Sequence, residues 1–587
     1  MQRTFFAVAV TTLATLAAGQ SSAELAQQEH LEALFADQMS GCKMSGQFTV
    51  DGDDGPAQAD SYTLGEVRKV RDEKWRVEAK IKYADKSATV PLTVEVFWAD
   101  ETPVIQVTNL AVPTLGTFSA RVLIHGDRYA GTWSGRDHGG QMYGRIERPQ
   151  APPQDSVVHW PTWRGAAGTG EAPGGTPPLS WSEDENVIWK TPLPGIGSST
   201  PVVWGDRIYL TTAIETDEVV KNGEDDAQRG GEPQRGRRRG RRGGRGRGSS
   251  APKNIYDFRV MAVDRATGEV VWSKQVAREV PHERGHQTAS QASNSPLTDG
   301  AFVYAHFGSR GIHCLTRDGE ITWSRTDLGR MQTRNQFGEG SSPALVDGKL
   351  IVNWDHEGDS FVVAIDARSG KDVWRKQRDE VTSWSTPVIA EVDGRKQAII
   401  SATRATRAYD VETGDVVWSC TGMTYNTVPT PIVRDGVAYV MSGFRGAMLQ
   451  AIRLAGAAGD ISESDHVLWR HDRQTSYVPS ALLLGDRLYF LRSNSAVLSC
   501  LNASTGDVQF EGQRLRGMRT VYASPVGADG RVYLTSREGV TKVIKASDEY
   551  EELATNELDD VFDASPIVLG SRMYLRGQES LYCLGSK

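Results

Sequence analysis

The sequence predicts an all-β chain of 587 residues, in which a small antiparallel β domain precedes an eight-bladed β-propeller. Three observations predict it. Proline recurs at a near-constant step: Pro343, Pro387 and Pro431 are 44 apart, Ala481 takes the next place, Pro525 and Pro566 follow, and Pro296 and Pro201 lie upstream. A turn of the form Asp-x-x-(Thr/Ser)-Gly leading to Trp recurs with it, as Asp264, Gly268 and Trp272, Asp366, Gly370 and Trp374, and Asp410, Gly414 and Trp418. Between these marks each unit alternates apolar and polar residues in four short runs separated by Gly-containing turns, the signal of hairpins. A four-stranded unit of this length cannot bury both faces of its sheet alone, so it packs against copies of itself around an axis.

The unit at 340–376 shows the elements in order. Ser342-Pro343 opens the strand Ala344 to Val346, and Asp347-Gly348 turns it into Lys349 to Trp354. His356 to Ser360 lead to Phe361 to Asp366, and Arg368-Ser369-Gly370 turns into Asp372 to Lys376. Units begin near Ser198, Ser293, Gly340, Trp384, Val428, Val478, Tyr522 and Asp563. The last holds three strands; its fourth is expected from Asn186 to Leu193, with Trp189, so that one blade is built from both ends of the domain and no sheet edge stays open.

The repeat AVDRATGEVVW at 262–272, and AIDARSGKDVW at 364–374, resembles the tryptophan-docking repeat of the pyrroloquinoline-quinone (PQQ) propellers. HWPTWRGAAGTGE at 159–171, followed by VIWKTPLPGIGSSTPVVWGDRIYLT, is similar to the PQQ-like propellers of exported planctomycete proteins. The resemblance spans about 159–587. It implies the fold, and it admits two functions, because the superfamily includes quinoprotein dehydrogenases and non-enzymatic scaffolds such as the BamB lipoprotein of outer-membrane assembly.

Residues 1–23 read as a signal peptide: Arg3, an apolar run from Phe5 to Ala18, and the small-residue site Ser21-Ser22-Ala23. The run is too short to span a bilayer, no later stretch is apolar enough, and no Cys follows the cleavage site as a lipobox would require. A soluble, monomeric protein exported to the periplasm or beyond is expected. Residues 24–148 form the first domain. A helix is expected at 24–40, with Leu25, Leu31, Leu34 and Phe35 on one face, then about seven strands from Tyr62 to Ile146 in a barrel or sandwich. His138 reads as a turn residue. A Pro/Gly-rich linker at 149–182 docks through Trp160 and Trp163, and the propeller fills 183–587. Cys314, Cys500 and Cys583 share a repeat position held by Ala elsewhere, so they read as small core residues in separate blades. With no adjacent cysteines and no CxxCH, neither the vicinal disulfide of the quinoprotein alcohol dehydrogenases nor a c-type haem is expected.

An arginine- and glycine-rich insertion, 215–254, interrupts the first blade between its second and third strands. Residues 221–253 carry eleven Lys and Arg against four Asp and Glu, a net +7 that leaves −15 on the rest of a chain of net charge −8. Such a run cannot pack a core. Export argues against specific nucleic-acid recognition, and non-specific attraction to polyanions is the expectation.

Turns between second and third strands share a face, the top, with the crossings between blades. Arg310, Arg404, Arg445 and Arg537 stand in these turns, with Arg407 close by, and Trp384, Tyr425 and Asn426 stand in crossings beside His286, Tyr477 and Tyr522. These are the candidate ligand-binding residues. Converging guanidiniums bind carboxylate or phosphate, unless acids such as Asp355, Glu357 and Asp563 neutralise them. No catalytic or metal-binding residue is assigned. The Glu/Asn/Asp ligands of the quinoproteins find no match, DHEGD at 355–359 fits a β-turn and is too short for a calcium loop, and GxSxG, HExxH and P-loop motifs are lacking. The expected function is therefore a non-catalytic binding or scaffold protein, without cofactor, for a protein partner or anionic polymer at the cell envelope. The alternative is a divergent PQQ-dependent oxidoreductase, with PQQ and calcium at the mouth, the arginines on its carboxylates and Trp384 stacked on it.

Overall fold

The computed structural model describes Gln28, Leu31, Glu32, Phe35 and Ala36, then residues 39–53, 55–83, 86–99, 102–112, 116–126, 128–147, 159–220 and 253–586. The expected signal peptide and the arginine-rich run lie outside them. The chain divides into two compact units, Met1–Glu147 and Arg148–Lys587.

The first unit is a closed antiparallel barrel of β1 (Lys43–Phe48), β2 (Gln58–Arg71), β3 (Lys74–Tyr83), β4 (Lys86–Ala99), β5 (Thr102–Val112), β6 (Gly116–His125), β7 (Arg128–Ser134) and β8 (Gly139–Glu147). Closure comes from β1, which pairs with β2 on one side and β8 on the other. Period-2 alternation turns Val77, Val94, Val96, Val122 and Ile124 inward. Gln28, Leu31, Glu32, Phe35, Ala36 and Met39 are helical, and Phe35 packs edge-on against Trp75 and Trp98, ring centres 5.1 and 6.0 Å away. The sequence announces seven strands from Tyr62 onward; the eighth, β1, hides because Gly46 breaks its alternation of Met44 and Phe48. That glycine is required. A Cβ on Gly46 would lie 2.4 Å from the Tyr129 hydroxyl, and one on Gly144 would lie 2.7 Å from the Tyr129 ring. Tyr129 therefore crosses the inner face of β8 and β1 where no side chain fits.

The second unit consists of eight sheets of the expected units. The last takes Val187–Pro192 as its outer strand, antiparallel to Ser580–Leu584, so the two ends of the domain close the ring as the sequence predicts. In the first blade the second and third strands run to Val219 and from Asn254, and these two residues still pair; the insertion is thus shorter at its base than the sequence suggests.

The recurring Trp joins five of the blades to the next. Trp272, Trp323, Trp374 and Trp469 donate their indole N–H to the backbone carbonyls of Arg317, Ala367, Val411 and Ala503 at 2.9–3.0 Å, and Trp189 reaches Arg265 at 3.3 Å. Each indole lies on the glycine of the neighbouring turn. A Cβ on Gly370, whose φ is +69°, would meet Trp323 at 2.8 Å. The repeat pairs Gly and Trp because the ring needs the space and the turn needs the left-handed conformation. Trp418 departs from this: it is fully buried and donates to Gln397 of its own blade at 3.0 Å. Cys314, Cys500 and Cys583 are buried, as expected of small core residues, and Cys42 and Cys420 are buried too.

Candidate functional site at the mouth of the propeller channel

The residue before each repeat proline or its substitute is Ser or Thr, and these eight residues form a closed ring of hydrogen bonds around the axis. The backbone N–H of Thr200 donates to Ser295 Oγ at 2.9 Å, Ser295 to Ser342 at 2.9 Å, Ser342 to Thr386 at 3.2 Å and Thr386 to Thr430 at 3.3 Å. Thr430 donates to Ser480 at 2.9 Å, Ser480 to Ser524 at 2.9 Å, Ser524 to Ser565 at 3.0 Å, and Ser565 closes the ring on Thr200 at 2.9 Å. Each bond crosses from one blade to the next at the start of the innermost strand. A proline that follows fixes the entry angle, and the hydroxyl satisfies a buried N–H that no ladder reaches.

The ring surrounds a cavity of about 390 Å3. All eight residues at the unit starts, from Ser198 and Trp384 to Tyr522 and Asp563, line it, joined by His286, Phe337, Phe444 and Tyr477. The wall is therefore mostly hydroxyl and aromatic. Trp163 also lines it, from a segment that crosses the opposite end of the channel. His159 and Trp160 add a strand to the first blade, Gly170 and Ala172 bond to Gly527 at 3.0 and 2.8 Å, and Thr176 bonds to Gly570. Arg164 anchors this floor. Only 2% exposed, it donates to the carbonyls of Pro525, Thr169 and Ala481 at 2.8–2.9 Å, and burial pushes its pKa down to about 9. Trp160 and Trp163 thus dock the linker as the sequence predicts, and Trp163 does so at the base of the cavity.

Of the eight candidate residues, Trp384 lines the cavity, its indole N–H donating to Gly338 O at 2.7 Å. Arg537 reaches it through Asp563, holding that carboxylate at 2.5 and 3.3 Å while Gln578 adds a bond of 3.1 Å. Burial pushes the Asp563 pKa up, and Arg537 opposes the shift. Arg310 is buried on Glu339 at 3.2 Å and Glu279 at 3.5 Å, Arg404 pairs with Asp379 and Arg407 with Glu380. Arg445 lies exposed over the Phe444 ring at 5.4 Å. Tyr425 is exposed beneath Arg334, and Asn426 is buried. Four of the top-face arginines thus carry their own carboxylates. From the other crossings, His286, Tyr477 and Tyr522 reach the cavity; the Thr288 hydroxyl sits 2.7 Å from His286 Nδ1 and 3.1 Å from the Tyr522 hydroxyl. The Ser/Thr ring, Phe337, Phe444 and the Trp163 floor are what reading for charge misses. A signal for the ring stood in the sequence, one residue before each proline.

Residues 256–511 match the family model described as outer membrane protein assembly factor BamB. Over that stretch, under half of the chain, the propeller is similar to this family. Solved structures similar to the chain include BamB from Moraxella catarrhalis, 14% identical over 57% of this chain and 92% of that one at a TM-score of 0.40. A europium-containing methanol dehydrogenase is 11% identical over 73% and 91% at 0.47, and Saccharomyces cerevisiae Sqt1 is 10% identical over 57% and 93% at 0.40. No curated protein sequence matches the chain. Among the described residues no helix is long and apolar enough to cross a membrane.

Proposed function

We propose that the propeller is a non-catalytic binding platform of the cell envelope, whose mouth receives a polar, uncharged segment of a protein partner. The observation that carries this reading is the make-up of the cavity: a floor closed by Trp163, a hydroxyl ring above it, and an aromatic rim whose carboxylate, Asp563, is already held by Arg537. Hydroxyl and aromatic groups supply hydrogen bonds and flat apolar contact at low ordering cost. The paired arginines leave little positive charge for a polyanion at the rim, so attraction of an anionic polymer is assigned to the arginine-rich insertion.

PQQ with calcium fits this wall poorly. Calcium takes six to eight oxygen ligands, carboxylates prominent among them, whereas among the described residues no group of three or more His, Cys, Asp or Glu is placed to hold a metal ion. Trp384 offers a stacking face, but among the described residues that line the cavity Asp563 is the one carboxylate, and Arg537 holds it. The partner is tested by placing a photo-cross-linking amino acid at position 384 in the exported protein, with position 348 on the opposite turns as control. One partner protein captured from 384 and not from 348 is expected; equal capture from both, or none from 384, contradicts the reading.

A further inference from the structure

The barrel of the first unit encloses a separate cavity of about 350 Å3. Its wall is apolar, with Phe48, Val77, Leu92, Ile105, Val122 and Met142 pointing in, and the helical residues Phe35 and Met39 also line it. Eight-stranded barrels either fill with side chains or keep room for one small ligand. Here small residues, Ala79 and Ala120, stand at inward positions where larger ones would fill the space.

One carboxyl group interrupts this wall. Asp60 on β2 is 7% exposed and accepts hydrogen bonds from the Tyr62 hydroxyl at 2.8 Å and the Tyr129 hydroxyl at 3.2 Å. Both partners are phenols. Tyr129 reaches Asp60 across Gly144 and Gly46, so two strands forgo side chains to build this contact. Burying a carboxyl in an apolar wall is costly, and burial raises its pKa against the two tyrosines. A carboxyl group has about four acceptor sites, and each oxygen here uses one on a tyrosine. Acceptor capacity therefore remains, facing an apolar space whose volume equals that of about a dozen waters.

We propose that the barrel interior binds one uncharged apolar molecule of about a dozen heavy atoms bearing a hydroxyl or amine, its polar end on Asp60 and its chain along the apolar wall. A medium-chain alcohol has this chemistry; an anionic head group beside Asp60 does not. The full-length protein is titrated with 1-naphthylamine, a neutral fluorophore of about a dozen heavy atoms bearing an amine, and then with 1-decanol or decanoate at pH 8. Saturable enhancement with one site per chain is expected, displaced at least tenfold more readily by decanol. Ala79→Phe fills the cavity and should weaken binding at least tenfold. Asp60→Asn keeps the shape of the group and should bring decanoate within threefold of decanol, which carries the test should Ala79→Phe unfold the barrel. The proposal is overturned by an absence of saturable enhancement, by unchanged affinity in a folded Ala79→Phe protein, or by decanoate displacing the probe from the parent as well as decanol.

Discussion

Individual side chains at the top of the propeller are committed to one another before any ligand arrives. Arg378 and Asp355 are both fully buried and doubly bonded at 2.7 and 3.0 Å, with Ser383 on the same carboxylate at 2.6 Å and Tyr409 on the guanidinium. Asp355→Ala leaves that cation buried and unpaired, so chemical denaturation should show a loss of about 3–5 kcal/mol. His313 is equally enclosed. Its Nε2 meets the Arg310 carbonyl at 3.2 Å and its Nδ1 meets the Ser324 hydroxyl at 2.8 Å. Burial pushes its pKa down to about 4, and that of His306 likewise. Below about pH 6.5 the unfolded chain binds a proton on each that the folded chain refuses. Their contribution is thus full above pH 6.5 and lost as pH falls toward 4. In His313→Gln the loss of stability between pH 6.5 and 4.5 should be shallower than in the parent, by up to about 1.4 kcal/mol per pH unit; parallel pH profiles would contradict this. At this scale the sequence was only half legible. Arginines in the top turns could be located from the repeat, but their partners Glu339, Asp379 and Glu380 come from other loops, and nothing local announces such pairings.

At the scale of elements, the Gly–Trp pairing that marks the repeat is also what joins the blades. Gly370→Ala places a methyl 2.8 Å from Trp323 at a φ of +69°, and should cost about 1–3 kcal/mol; an unchanged thermal midpoint would show that the indole yields at no cost. Strands with strong alternation were legible, down to the closing strand at 187–192. Those that glycines interrupt were not, and β1 of the barrel is the example: its register is set by Tyr129 filling the place of a side chain, a long-range fact. The floor segment was legible in its two anchoring tryptophans, Trp160 and Trp163, but its course was not. Pro and Gly between 159 and 181 signal irregular chain, and the bonds that order it, from Arg164 to Pro525 and Ala481, span more than 300 residues.

For the whole molecule, the repeat made the ring legible, because eight similar units leave one way to bury their faces. The same repeat encoded the site. The residues that mark the unit starts line the mouth, and the hydroxyls two positions later ring the channel. What repetition cannot encode is the difference between units, and there the chemistry lies: Trp384, Tyr522 and Asp563 each occur at that position in one blade. On the proposed function this mouth binds a partner and not a redox cofactor. Calorimetric titration of the purified protein with PQQ in the presence of calcium tests this most directly. No saturable heat is expected at micromolar cofactor; saturable binding that disappears in Trp384→Ala would contradict the proposed function.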